Sequence, residues 1–181
     1  MPRHLAFLRA VNLGRVRKVP MAELRERLTG AGFTDVETHL QTGNIALTST
    51  MRSGTKVEAA IEDLLSTWCG FEVPTMVRSP RELHDLARQV ASIPPLLTAD
   101  ARRYVAFVKS EPSRSARDAL TAYDATPERA RVVGRDVLLE YDSGFPNAKL
   151  AGARLEKLAG SAVTTRDLKV VRTLDERWST T

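Results

Sequence analysis

One cysteine, Cys69, is all the chain contains. An internal disulfide is excluded, and no second thiol exists for a metal site or a redox pair. Cys69 ends an apolar helical pattern and reads as a buried thiol. Aromatic residues make up only 6% of the chain, which weighs against a protein that stacks nucleic-acid bases on an open sheet face. No run of about 18 apolar residues occurs, so no membrane-spanning helix is expected. The opening residues lack a signal-peptide layout, because Arg9 interrupts the apolar run early. A cytoplasmic protein is the expectation. The three histidines, His4, His39 and His84, are scattered, and none has a neighbour at metal-ligand spacing. Ser66, Ser143 and Ser161 lack the glycine-flanked context of a catalytic serine. No metal and no cofactor is expected.

Charge of one sign is also not concentrated. Residues 1–90 hold 12 basic and 10 acidic side chains, and residues 91–181 hold 15 and 12, so the net +5 divides into +2 and +3. A pI near 9.7 suits an anionic partner. A basic tail or stripe of the kind that tracks nucleic acid is not present. The surplus of Arg over Lys is equally explained by a GC-rich genome.

What is present is an ordered run of elements. Residues 4–10 are apolar and read as a buried strand. Val19-Pro20 marks a helix start, with Pro20 at the first helical position. Met21, Leu24, Leu28 and Ala31 follow at helical spacing, with Glu23 and Arg27 on the wet face. Residues 36–41 and 45–48 read as strands joined by the turn Thr42-Gly43-Asn44. Thr55 and Glu58 fit a capping box. Val57, Ile61, Leu64, Leu65 and Trp68 supply that helix with an apolar face. Residues 73–78 form a further strand, placed at an edge by Pro74. Ser79 and Glu82 make a second capping box.

Residues 91–102 contain Pro94-Pro95 and read as a linker. The order then repeats. A strand covers 103–109 and a helix 113–125. A hairpin follows over 130–133 and 136–141, with a loop at 142–147. A helix spans 148–159, a short strand 162–165, and a last helix 167–178. The fold class expected is α+β, two βαββαβ ferredoxin-like halves in tandem. The halves are 1–90, including a connecting helix, and 103–181, including a C-terminal helix. Both first strands lack polar alternation and should be buried on both faces.

Several segments resemble one family. They are Phe7-Leu8-Arg9-Ala10-Val11-Asn12-Leu13-Gly14, Val19-Pro20-Met21-Ala22-Glu23-Leu24, Gly32-Phe33, Gln41-Thr42-Gly43-Asn44, Val73-Pro74, Lys149-Leu150 and Ala162-Val163-Thr164-Thr165-Arg166. Together they are similar to the bacterial domain-of-unknown-function 1697 family over nearly the whole chain. The resemblance implies two ferredoxin-like halves and supplies no activity. The family pattern has Arg-Gly-Ile-Asn followed by two glycines, where this chain has Ala10 and Arg15 at the first and last glycine. Thr42 keeps the hydroxyl of a Gln-Ser-Gly-Asn turn. A late Arg-Asn-Trp-Asn stretch appears here as Arg166-Asp167-Leu168-Lys169. A site resting on those amides and that indole would be weakened in this chain.

Four places are candidates for binding. The loop 12–19 leads from a strand into a helix start, where free amides and the helix dipole attract anions. Asn12, Gly14, Arg15, Arg17 and Lys18 lie in it, although short charge runs usually only solvate a loop. Gln41, Thr42 and Asn44 offer amides and a hydroxyl at a turn, which are also ordinary turn chemistry. Parallel first and third strands would put this turn and the loop at opposite sheet ends, on the order of 15 Å apart. Arg9 ends an apolar strand and needs a partner, either a ligand anion or an internal carboxylate. Lys149 would oppose the dipole in the first turn of its helix, which a bound anion near Arg166 would explain.

The leading functional expectation is a binding module for a phosphorylated or otherwise anionic ligand, nucleotide and RNA among them. The alternative is an enzyme acting on a small anionic metabolite in a cleft between the halves. The third is a structural or homodimerisation module.

Overall fold

The computed structural model describes residues 1–125, 127–142 and 144–179. Ser143 therefore lies outside the described residues. The chain divides into two compact units, one of Met1–Leu83 with the chain end from Arg177, the other His84–Glu176.

The first unit runs β1 (Arg3–Leu8), α1 (Met21–Gly30), β2 (Thr34–His39), β3 (Asn44–Thr48), α2 (Gly54–Cys69), β4 (Thr75–Arg78). Its sheet order is β2-β3-β1-β4. Every pairing is antiparallel, β1 with β3 included. This corrects the expected parallel relation of the first and third strands. One helical crossover returns the chain so that β2 runs with β1, and the hairpin then reverses β3 beside β1.

Ala6 and Leu8 of β1 pack with Leu24 and Leu28 of α1 and Ile61 and Leu65 of α2 in one core. Leu5 and Phe7, on the opposite face by alternation, are fully buried as well. The first strand is thus covered on both sides, as its lack of polar alternation implies. Burial of each such side chain contributes about 1.5–3 kcal/mol.

Pro20 is the extended N-cap of α1 and not its first helical residue, and the start of α2 also differs from expectation. The α2 N-cap is Ser53, whose hydroxyl accepts from the Lys56 amide. Glu58 does not serve a capping box with Thr55; it is buried and accepts from the Val77 amide at 2.8 Å. One turn further on, Glu62 accepts from the Thr75 amide at 2.7 Å. Two carboxylates of α2 therefore hold amides of the edge strand β4. A buried amide without a partner would be more costly than a missing cap, so the edge takes the carboxylate. The second capping box is as expected, with the Ser79 amide donating to Glu82 Oε2 at 2.7 Å and the Glu82 amide to Ser79 Oγ at 3.2 Å.

After α3 (Pro80–Ser92), the second unit repeats the plan: β5 (Arg102–Val108), α4 (Arg114–Thr121), β7 (Glu128–Val133), β8 (Asp136–Tyr141), α5 (Gly152–Ala159), β9 (Val163–Asp167), then α6 (Leu168–Trp178). A two-residue strand, β6 (Asp124–Ala125), precedes β7 and joins the sheet edge, giving β6-β7-β8-β5-β9. α4 is shorter than its expected span because the chain leaves the helix to form β6. Val105 and Phe107 of β5 are fully buried, as are Ala106 and Val108 on the other face. Here too a helix carboxylate guards the edge: Glu156 of α5 accepts from the Val163 amide of β9 at 3.1 Å.

The Pro-rich connector is pinned to this sheet by Glu140. The fully buried carboxylate accepts from the Leu96 and Leu97 amides at 2.7 and 2.9 Å. Its other oxygen lies 2.9 Å from Arg103 Nε. Arg103 Nη2 donates to the Ile93 carbonyl at 3.1 Å.

Candidate functional site

The antiparallel pairing of β1 and β3 brings the loop after β1 and the turn before β3 to the same end of the first sheet. Asn12 joins them. Its side-chain amide donates to the carbonyls of Val19 at 2.9 Å and Gln41 at 2.7 Å, and its carbonyl accepts from the Val19 amide at 2.9 Å. The Leu8 amide donates to the Gly43 carbonyl at 2.8 Å. The expected separation of the two segments is thereby overturned; they form one structure.

Most of the loop's charge is used internally. Arg17 donates from Nε to the Ala10 carbonyl at 2.7 Å and from Nη2 to the Glu72 carbonyl at 2.5 Å. Its guanidinium lies 4.5 Å from the centre of the Phe71 ring. Lys18 donates to the Gly14 carbonyl at 2.6 Å. Arg15 is exposed, and its side chain has no hydrogen-bond or ion-pair partner among the described residues. In the turn, buried Asn44 donates to the His39 carbonyl at 2.9 Å and to Thr42 Oγ1 at 3.0 Å, while Gln41 and Thr42 face solvent. Arg9 is half-buried just beyond β1, and its amide donates to the Pro74 carbonyl at 2.9 Å.

Backbone strain collects at this sheet end. Ala10, Asn12 and Arg17 all have left-handed φ, at 54°, 54° and 52°. The family pattern has Gly at the first of these positions, where a left-handed backbone is free of Cβ strain. Ala10→Gly is expected to stabilise the protein by roughly 0.5–1 kcal/mol, the left-handed penalty of alanine less the entropy of a freer unfolded chain. A urea midpoint that falls instead would contradict this.

Lys149 does not occupy a helix. α5 begins at Gly152, and the Lys149 and Leu150 amides are bound by the Glu128 carboxylate, the latter at 2.7 Å. The expected conflict between a lysine and a helix dipole is therefore absent; the anion at those amides is the protein's own. Tyr123 also donates to Glu128, at 3.2 Å, and Tyr141 donates to the Leu150 carbonyl at 2.6 Å. Burial first, then the nearby Glu128 charge, pushes both phenols above their usual range. Arg166 is buried and donates to Thr164 Oγ1 at 2.8 Å and the Thr165 carbonyl at 3.0 Å. Burial pushes its guanidinium down to about 10, so it stays charged near neutrality.

A cavity of about 390 Å³ opens in the second unit beside that stretch. Its walls are Asp100, Ala101, Arg102, Arg103, Asp167, Leu168, Lys169 and Arg172. The register of β5 on β9 builds it: Tyr104 sits opposite Asp167, so the residues before Tyr104 flank the first turn of α6. Lys169 and Arg172 are three apart and share a helix face. The side chains of Arg102, Lys169 and Arg172 are exposed and have no hydrogen-bond or ion-pair partner among the described residues, whereas Arg103 is balanced by Glu140. Asp167 caps α6 by accepting from the Lys169 amide at 2.8 Å. No binding motif marks these three cations in the sequence. Their only sequence signal is the spacing of Lys169 and Arg172 after Arg166-Asp167.

The histidines have internal partners. His4 Nε2 lies 2.9 Å from the Met51 carbonyl, and His84 Nδ1 lies 3.2 Å from each Asp175 oxygen. His39 stands edge-on to Trp178. Cys69 is half-buried, and burial raises its thiol. Among the described residues, no group of three or more His, Cys, Asp or Glu is arranged to hold a metal ion. Among the described residues, no helix is long and apolar enough to cross a membrane.

Comparison with known proteins agrees with the duplicated fold. The conserved bacterial protein SP0830 from Streptococcus pneumoniae superposes with a TM-score of 0.73 over 97% of each chain, at 20% identity. No curated protein matches the sequence. The model of a family described as "protein of unknown function (DUF1697)" matches residues 1–138. With that match over most of its length, the chain belongs to the DUF1697 family.

Proposed function

We propose that this protein binds a small anionic ligand, a phosphate ester or carboxylate, in the cavity at the start of α6. One observation carries the reading: three cations whose side chains have no partner among the described residues, Arg102, Lys169 and Arg172, line a single concave site. Unpaired like charges held together repel one another, and an anion among them relieves that repulsion. The cavity falls within the usual size range of small-molecule sites. The first turn of α6 adds its dipole in the same sense, partly spent on the Asp167 cap.

Phosphate and a panel of phosphate monoesters and carboxylates should raise the melting temperature in proportion to ligand excess. The effect should shrink as salt is added. Arg102→Ala or Arg172→Ala should weaken the affinity roughly fivefold each, the ~1 kcal/mol typical of an exposed charge pair. Asp167→Asn keeps the cap while removing a negative charge, and should tighten binding. Absence of any thermal shift at tens of millimolar ligand, on the order expected for the weakest useful site, would refute the proposal. A shift indifferent to both arginine substitutions would do the same.

A further inference from the structure

Large exposed apolar side chains gather at the strained end of the first sheet. Leu13 is 55% exposed, Val16 63% and Leu40 50%. Leu13 and Val16 pair across a bridge around Gly14-Arg15. Leu40 precedes Gln41, whose carbonyl is held by Asn12, so all three belong to the same stapled structure. The base beneath them is fixed by the Asn12 and Arg17 hydrogen bonds and by Arg17 on Phe71. Leu40 itself has a left-handed φ of 60°. A chain that adopts four left-handed non-glycine residues here, and points aliphatic groups at water, is holding a surface ready rather than minimising its own free energy.

We propose that this loop end is a docking knob for an acidic segment of a partner protein, one carrying apolar side chains among its carboxylates. The choice of occupant follows from charge. No acidic residue occurs in 1–22 or in 38–57, while Arg15, Arg17 and Lys18 lie in the loop. Glu72, whose backbone carbonyl accepts from Arg17, is an exposed acidic residue at its base. A second copy meeting the knob through the same patch would set these cations against themselves. A bilayer surface would call for aromatic side chains at the tip, and the tip has only aliphatic ones. An acidic, apolar peptide satisfies both halves of the patch.

The test is selection of a displayed peptide library on the immobilised full-length protein. Counter-selection uses the Leu13→Ser/Val16→Ser variant, which changes only exposed side chains and should keep the wild-type melting temperature. Enriched peptides should combine Asp and Glu with bulky apolar residues. Synthesised singly, they should bind this variant and Arg15→Glu at least about tenfold more weakly than wild type. They should bind Arg172→Ala unchanged, which separates this surface from the cavity. Failure to enrich, enrichment of neutral or basic peptides, or equal affinity for the variants would overturn the proposal. So would sedimentation with phosphatidylserine vesicles, or self-association, that the Leu13→Ser/Val16→Ser change abolishes.

Discussion

Gly43→Ala should destabilise the first unit by roughly 2–5 kcal/mol, a large fraction of the stability of a typical domain. A Cβ at this position would lie 2.6 Å from Leu8 Cβ, 2.9 Å from Leu8 Cγ and 3.0 Å from Val11 Cγ2. None of these is the loose end of a flexible chain. Leu8 ends β1 with its side chain in the core, and its amide is held by the Gly43 carbonyl itself. The backbone cannot retreat without breaking that bond. The φ of 77° adds a second, separate penalty. Gly134→Ala separates the two, because Gly134 has a φ of 60° with nothing within 4 Å of the added Cβ. That variant should lose only about 1–2 kcal/mol. Urea denaturation of both checks the argument, and equal losses would show that the Leu8 contact is soft.

The second large effect is expected at Glu140. Its carboxylate is fully buried and serves two connector amides and the Arg103 guanidinium. Glu140→Ala leaves two amides without an acceptor and the Arg103 guanidinium without its counter-charge, and should cost about 3–5 kcal/mol. The Leu96 and Leu97 amides should then exchange with solvent far faster than in the parent protein. Replacing both partners, as Arg103→Met/Glu140→Leu, should recover most of the stability, since apolar residues leave no charge stranded. Recovery of stability with the two amides still unprotected would confirm that the carboxylate, and not sheet packing alone, orders the connector. A double variant no more stable than Glu140→Ala would contradict the account.

Much of the architecture was readable from residues close together in the chain. Apolar spacing marked Leu24 and Leu28, Pro74 marked an edge strand, and Ser79 with Glu82 marked a helix start. What failed depended on distant partners. Glu58 looked like half of a capping box until Val77, 19 residues on, supplied a better donor. The helix expected from residue 148 starts late because Glu128, 21 residues earlier, holds the Lys149 amide. Arg17 looked like loop charge, yet its partners include a carbonyl 55 residues away.

The candidate sites show the same division. The loop and the turn are each legible in local residues, but their meeting depends on the antiparallel pairing of β1 with β3, which parallel strands would preclude. The cavity has no local signature, because Arg102 and Arg172 are 70 positions apart and meet only through the β5–β9 register.

Helix carboxylates at the outer amides of β4 and β9 bear on how this chain behaves at high concentration. A strand from a neighbouring molecule, or from an exchanged half, must first find open donors on which to dock. At β4, Thr75 and Val77 are already engaged, and at β9 so is Val163. Each half carries its own terminator, written into the helix that precedes its last strand. Runaway sheet extension and half-for-half swapping are thereby blocked at those two borders, leaving β2 and β6 as the places where misassembly would begin.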